Sequence, residues 1–291
     1  FRICMCQPWQ HFYNSQRLKL SYWSWGSDEN PPLILLHGGR DHARTWDRIA
    51  DEFSSNYWVL APDLRGHGDS EWARGSYYAT VDHVLDLFNF IELIGGSSTV
   101  VGHSFGGSIA LLTASIFPDK FIKIVDIEGA GARLEDSKDG SGETTPDSLL
   151  AWAHSYQKIA KQTPRMYKNF SETVDRMMEA NKYLRPEMAE HLARWGTIQE
   201  DGGYRWKFDP WARGRTPTEL QATEMPALWS KISCPVLHLS GERSGYTRTE
   251  FLGKGIDSYF ENSISAIVPQ AGHHAHHDNL DFVVDQIRAF I

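Results

Sequence analysis

Five residues, Gly102-His103-Ser104-Phe105-Gly106, spell G-x-S-x-G, with the apolar run STVVG leading into them and a helical pattern directly after. A hydroxyl is a weak nucleophile unless the backbone presents it and a base takes its proton. A serine on a sharp strand-to-helix turn is presented in that way, provided the residues two positions either side bring no side chain into the bend. Gly102 and Gly106 meet that need, and the helix that follows aims its first N–H groups at the reaction centre. Taken alone, the five residues also suit a plain turn whose serine caps a helix. Residues elsewhere in the chain favour the nucleophile.

A base must come within hydrogen-bonding reach of that hydroxyl. The segment 268–278 reads VPQAGHHAHHD, and His273, which follows Gly272, takes the role. His274, His276 and His277 crowd the same stretch and invite a metal-site reading. Adjacent histidines point in different directions, however, and neither H-E-x-x-H spacing nor an acidic cluster joins them, so no metal is expected. Acyl transfer also needs two N–H donors aimed at the developing oxyanion. Phe105, next after the serine, is expected to supply one. Gly39, in the run Leu36-His37-Gly38-Gly39-Arg40, is expected to supply the other, although a glycine pair after a strand also suits a simple turn. His37 is expected to hydrogen-bond the backbone of that loop rather than act as the base.

The elements that must position these groups alternate along the chain. Short β-rich runs fall at 11–14, 17–25, 32–36, 57–61, 98–102, 122–127, 235–239 and 264–268. Helical patterns fall between them at 43–53, 80–94 (with Thr80 placed to cap its start), 104–117 and 278–291. That alternation argues for an α/β fold around a mainly parallel sheet. The rhythm breaks between 131 and 231. A polar, Gly-rich loop at 134–146 is followed by helical patterns at 147–161, 166–180 and 185–195 and then by the aromatic stretch GGYRWKFDPW. The division expected is a core of residues 1–130 and 232–291, with 131–231 a helical cap inserted between the sixth and seventh strands. Trp152, Trp195, Trp206, Trp211 and Trp229 fall in that block, where they pack the cap or line a partly apolar pocket.

Composition narrows the function classes. The chain has 291 residues, 41% hydrophobic and 23% charged, as in a soluble globular protein. A formal net charge of −8 argues against a nucleic-acid partner. The three cysteines, Cys4, Cys6 and Cys234, make no disulfide framework and suit a reducing compartment. No apolar run approaches the roughly 20 residues of a membrane span, and the first ten residues lack signal-peptide features. A cytoplasmic protein is therefore expected.

Together the motifs resemble the α/β-hydrolase superfamily across nearly the whole chain. The resemblance rests on His37-Gly38-Gly39, the DLRGHGDS run at 63–70, the Ser104 elbow and Ala271-Gly272-His273. It implies an eight-stranded, mostly parallel sheet flanked by helices, an inserted cap, and a Ser–acid–His order of catalytic groups. The acid is where this chain departs from the common pattern. Most members carry an Asp three residues after a glycine beyond the seventh strand, and Ser244 stands there. Other members carry the acid at the end of the sixth strand, where this chain has Val125-Asp126-Ile127-Glu128-Gly129. Glu128 is therefore the expected acid, with Glu242 the second choice and Asp126 the third. The activity implied is hydrolysis of a carboxylic ester or related acyl bond through Ser104, His273 and Glu128 and a covalent acyl-enzyme, on a partly apolar small molecule and without a cofactor. Carbon–carbon hydrolysis or lactone opening is the alternative on the same residues. A non-catalytic ligand-binding member of the fold is the alternative from another class.

Overall fold

The run Pro32–Leu36 is apolar because the strand it forms is covered on both faces. Leu33 and Leu35 pack into one core cluster, and Ile34 and Leu36 into a second on the opposite face. The computed structural model describes residues 7–130, 145–214, 216, 220–245, 250–251 and 254–291. Cys4, Cys6 and nearly all of the loop expected at 134–146 lie outside them.

Eight strands form the main sheet: β1 (Trp9–Ser15), β2 (Leu18–Trp25), β3 (Pro32–Leu36), β4 (Trp58–Pro62), β5 (Ser98–His103), β6 (Phe121–Ile127), β7 (Val236–Gly241) and β8 (Ser263–Val268). Their spatial order is β1-β2-β4-β3-β5-β6-β7-β8. Strand β2 runs antiparallel to β1 and β4, and every other pairing is parallel. This is the α/β-hydrolase arrangement expected from the sequence. The strands β3, β5, β6, β7 and β8 are side by side and parallel, so their carboxyl ends share one edge, where loops of α/β sheets gather ligand-binding groups.

Helices cover both faces. On one lie α1 (Asp47–Phe53), preceded by a 3₁₀ turn at Ala43–Trp46, and the C-terminal α9 (Leu280–Phe290). On the other lie α2 (Thr80–Leu93), α3 (Phe105–Ile116) and, later in the chain, α7 (Met225–Trp229). The cap position of α2 falls on Ala79, one residue before the Thr80 expected to hold it. The C-terminal helical pattern is divided, because Asn279 interrupts it: α8 (Ala275–Asp278) ends there, and the Asn279 side chain accepts the N–H of Phe282 to start α9.

Between β6 and β7 the chain leaves the sheet. It forms α4 (Pro146–Ala160), α5 (Phe170–Ala180), α6 (Pro186–Gly196) and a hairpin of Thr197–Glu200 with Gly203–Trp206. Pro146 and Pro186 occupy first-turn positions, where their missing N–H costs nothing, and the side chains of Thr145 and Asn169 cap α4 and α5. Polar tethers fix this block to the core. His42 Nε2–H donates to the Leu192 carbonyl (3.0 Å), Trp72 Nε1–H to the Lys207 carbonyl (2.8 Å), and Tyr78 O–H to Asp209 (2.6 Å). Trp229 does not join the block's aromatics. It is buried in the sheet-face cluster against Phe251 and Phe260.

Candidate active site

Strand β5 ends at His103 and helix α3 begins at Phe105, which leaves Ser104 alone to make the turn. It does so at φ 51° and ψ −119°, a conformation that costs a non-glycine residue roughly 1–3 kcal/mol and persists only where its surroundings over-determine it. They do so here. The Ser104 N–H donates to the Ile127 carbonyl (2.8 Å), and its own carbonyl accepts the Ser108 N–H (3.1 Å). A Cβ on Gly106 would lie 2.4 Å from the Leu36 carbonyl oxygen, and one on Gly102 would lie 2.6 Å from the Gly107 nitrogen. The two glycines are thus required by contact distances.

His273 follows β8 and joins the serine to an acid. Its Nδ1 lies 3.1 Å from Glu128 Oε2 and its Nε2 lies 3.0 Å from Ser104 Oγ. A carboxylate only accepts, so Nδ1 carries the proton, Nε2 is left as an acceptor, and the serine O–H donates to it. The ring is pinned from behind: His103 Nε2–H donates to the His273 carbonyl (2.8 Å). His103 belongs to the serine motif itself, yet its type at that position carries no general rule, and its part was not foreseen.

Glu128 sits one residue past β6, in the left-handed region at φ 60°, with its side chain wholly removed from solvent. Its Oε1 accepts the Gly241 N–H (2.6 Å) and its Oε2 accepts the Ser244 hydroxyl (2.6 Å). Ser244, at the position where the resemblance implies an Asp, therefore donates to the carboxylate at the end of the neighbouring strand. The other two carboxylates considered lie elsewhere. Glu242 is exposed and accepts the Gln270 N–H (2.7 Å). Asp126 is buried further back in β6, where it accepts His238 Nδ1–H (2.9 Å) and the Ala130 N–H (2.9 Å).

The remaining histidines have separate roles. His37 Nε2 accepts the Leu64 N–H (2.9 Å), so its Nδ1–H donates to the Gly38 carbonyl (2.7 Å), and burial holds its pKa well below the usual range. His277 meets Thr45 Oγ1 at 2.9 Å, and His276 stacks on Trp46. Burial pushes His274 down to about 3 and His103, His276 and His277 well below their ordinary value, the neighbouring imidazoles adding to the effect. Among the described residues no group of three His, Cys, Asp or Glu side chains gathers as a metal site. No helix among them is long and apolar enough to cross a membrane.

The run at 63–70 is scaffolding. Asp63 accepts the N–H groups of Ala43 (2.7 Å) and Asp69 (3.1 Å), and Arg65 forms a two-pronged bond with Asp86 (2.6 and 2.9 Å). Gly68 takes φ 52° with no room for a side chain beside Asp63. This loop anchors the residues after β3, among them Gly39, which has open space where a side chain would stand.

That space is part of a cavity of about 490 Å³ between the strand ends and the helical block. Gly39, His273 and His274 line it from the core; Tyr167, Leu192 and Trp206 line it from the block. Arg40, Arg165, Arg176 and Arg213 also reach it, and Asp41 is the acidic residue on its wall. Nothing in the sequence flagged these arginines together, since they are scattered over the chain. Of the tryptophans singled out, Trp206 is on the wall. Trp195 packs against Trp23 and Arg44, and Trp152 and Trp211 pack with Tyr156.

A model of a family described as "Alpha/beta hydrolase family" matches residues 33–286. "Serine hydrolase-like protein 2" of Homo sapiens is 26% identical over 199 residues, which span 66% of this chain and 59% of that protein. "Serine hydrolase-like protein" of Danio rerio is 21% identical over 277 residues, or 92% of this chain and 83% of that one. Among solved structures, the "Thioesterase Domain From Curacin Biosynthetic Pathway" superposes with a TM-score of 0.82 at 22% identity, covering 97% of this chain and 99% of its own. The structural likeness concerns the fold.

Proposed function

The chain belongs to the alpha/beta hydrolase family, and from that premise we propose that it hydrolyses a carboxylic ester of a small molecule through Ser104, His273 and Glu128. One observation carries the reading: a single imidazole spans Ser104 Oγ at 3.0 Å and a desolvated carboxylate at 3.1 Å, on the wall of a cavity of substrate size.

His273 Nε2 takes the Ser104 proton as Oγ attacks the acyl carbonyl. Glu128 holds Nδ1–H and stabilises the imidazolium that forms, and Ser244 and the Gly241 N–H keep the carboxylate aimed. The backbone N–H groups of Phe105 and Gly39 receive the oxyanion. His273 then passes its proton to the departing alcohol, leaving an acyl-serine. In the second half it takes a proton from the water that attacks the acyl carbon, and returns that proton to Ser104 Oγ as the acyl C–O bond breaks, releasing the carboxylic acid and the free serine. Every proton and bond is accounted for without a cofactor. Segment 131–231, which includes the helical block, acts as the cap that encloses the substrate.

A fluorophosphonate probe tests the proposal. We expect labelling at pH 7–8, lost in Ser104→Ala, together with turnover of short p-nitrophenyl esters that falls at least about 10⁴-fold in that variant. A folded wild type that neither labels nor turns over such esters would favour a binding module.

A further inference from the structure

The chain carries a formal charge of −8, yet its cavity is lined by Arg40, Arg165, Arg176 and Arg213. Arg176 faces Glu179 at 3.1 Å, an exposed pair that salt and water weaken. Among the described residues no carboxylate lies within ion-pair distance of Arg40, Arg165 or Arg213. Asp41 offsets them only in part, because burial pushes its carboxyl up to about 7. The cations also crowd one another: burial, then Arg40 and Arg176, draw the Arg213 guanidinium below its ordinary pKa, and Arg40 acts on His274 in the same sense. Arg40 holds φ 67°, where glycine would be cheaper, one residue from Gly39. Like charges gathered in a concave site repel until an anion enters, and a guanidinium fork matches the paired oxygens of a carboxylate or phosphate.

We infer that the substrate carries an oxyanion group, a carboxylate or a phosphate, at the end away from the scissile bond, and that Arg213 and Arg40 grip it while Arg165 and Arg176 extend the positive wall. This deepens the ester-hydrolase proposal and rests on it. The four arginines are specificity-determining residues; none takes part in bond making.

Two matched esters read the preference directly: mono-p-nitrophenyl glutarate, with a terminal carboxylate, and p-nitrophenyl pentanoate, without one. The expected kcat/KM ratio favours the glutarate by about tenfold or more at low salt and shrinks as salt is added. Arg213→Gln and Arg40→Gln should each cut the ratio severalfold, whereas Arg194→Gln, outside the cavity, leaves it unchanged. A ratio at or below one, or one that ignores both cavity variants, overturns the inference while leaving ester hydrolysis intact. Calorimetry on Ser104→Ala decides the matter without turnover. Glutarate or butyl phosphate should bind at least about tenfold tighter than pentanamide, the tighter of the two naming the anion. Equal binding of all three rejects the inference, and failure of probe labelling rejects only the catalytic reading.

Discussion

Ser104 and Glu128 stand at the ends of neighbouring strands and His273 in the loop after β8, and backbone or side-chain hydrogen bonds hold each at its far side as well as toward its partner. Across the cavity, Arg165, Arg176 and Arg213 hang from the helical block on long side chains. The first group carries positive φ angles at Ser104 and Glu128, and the surrounding core compensates that strain. The second stores like-charge repulsion instead. The contrast teaches that reaction geometry is set by backbone and burial, where a displacement of about 1 Å is costly. The proposed recognition is left to side chains that can adapt.

The largest way to break the contrast is at the acid. Glu128→Gln should lower kcat by about 10²–10⁴-fold, because an amide can donate to the imidazole and turn it to the wrong tautomer, while Glu242→Gln stays within about twofold. Steady-state rates on one ester check both, and the reverse pattern would move the acid to the loop after β7.

Acid pH attacks the core next. Burial holds His37, His42, His103, His274, His276 and His277 neutral, with His42 and His274 at about 3. Below the ordinary value of about 6.5 the unfolded chain binds protons that these folded sites refuse, so stability falls as pH drops from about 6.5 toward 3. Asp63 and Asp41, raised to about 6 and about 7, act in the opposite sense: they favour the folded state at low pH and lose that contribution as pH rises through those values. Burial raises Asp51 and Asp278 in the same sense as Asp63 and Asp41; six histidines outweigh four carboxyls, and the urea midpoint should be lower at pH 5 than at pH 7. An equal or higher midpoint at pH 5 contradicts the account.

A smaller effect tests how firmly the acid is held. Ser244→Ala removes the 2.6 Å hydrogen bond to Glu128 and should cost about tenfold in kcat with KM nearly constant. A change confined to KM would mean that Ser244 touches substrate instead. The smallest effect belongs to the block. Asn169→Ala deletes the cap of α5 and should cost about 1 kcal/mol of stability, with probe labelling of Ser104 unaltered. Loss of labelling there would show that the block shapes the reaction geometry after all.

Ser104 was legible because a strained turn demands glycines at fixed offsets, so the constraint is local and written in adjacent residues. His273 was legible for a similar reason: it is the imidazole after Gly272 in the one loop between the last strand and the last helix. Glu128 needed the comparison with Ser244, since a carboxylate can reach the imidazole from either of two adjacent strand ends. The strands themselves followed from apolar runs whose burial on both faces leaves no polar alternative. The helix starts were read less well, as at Ala79 and Asn279, where a cap depends on one backbone conformation.

The amino-acid order alone carried the α/β-hydrolase sheet, the serine elbow and the histidine loop, because each follows from contacts between near neighbours or from a repeating pattern. Assembly in three dimensions was needed to set Ser244 beside Glu128, to press His103 against the His273 carbonyl, and to bring four arginines from positions 40, 165, 176 and 213 around one cavity. Those residues are far apart along the chain, and a charge pattern that forms only across folded elements leaves no periodic trace in the sequence.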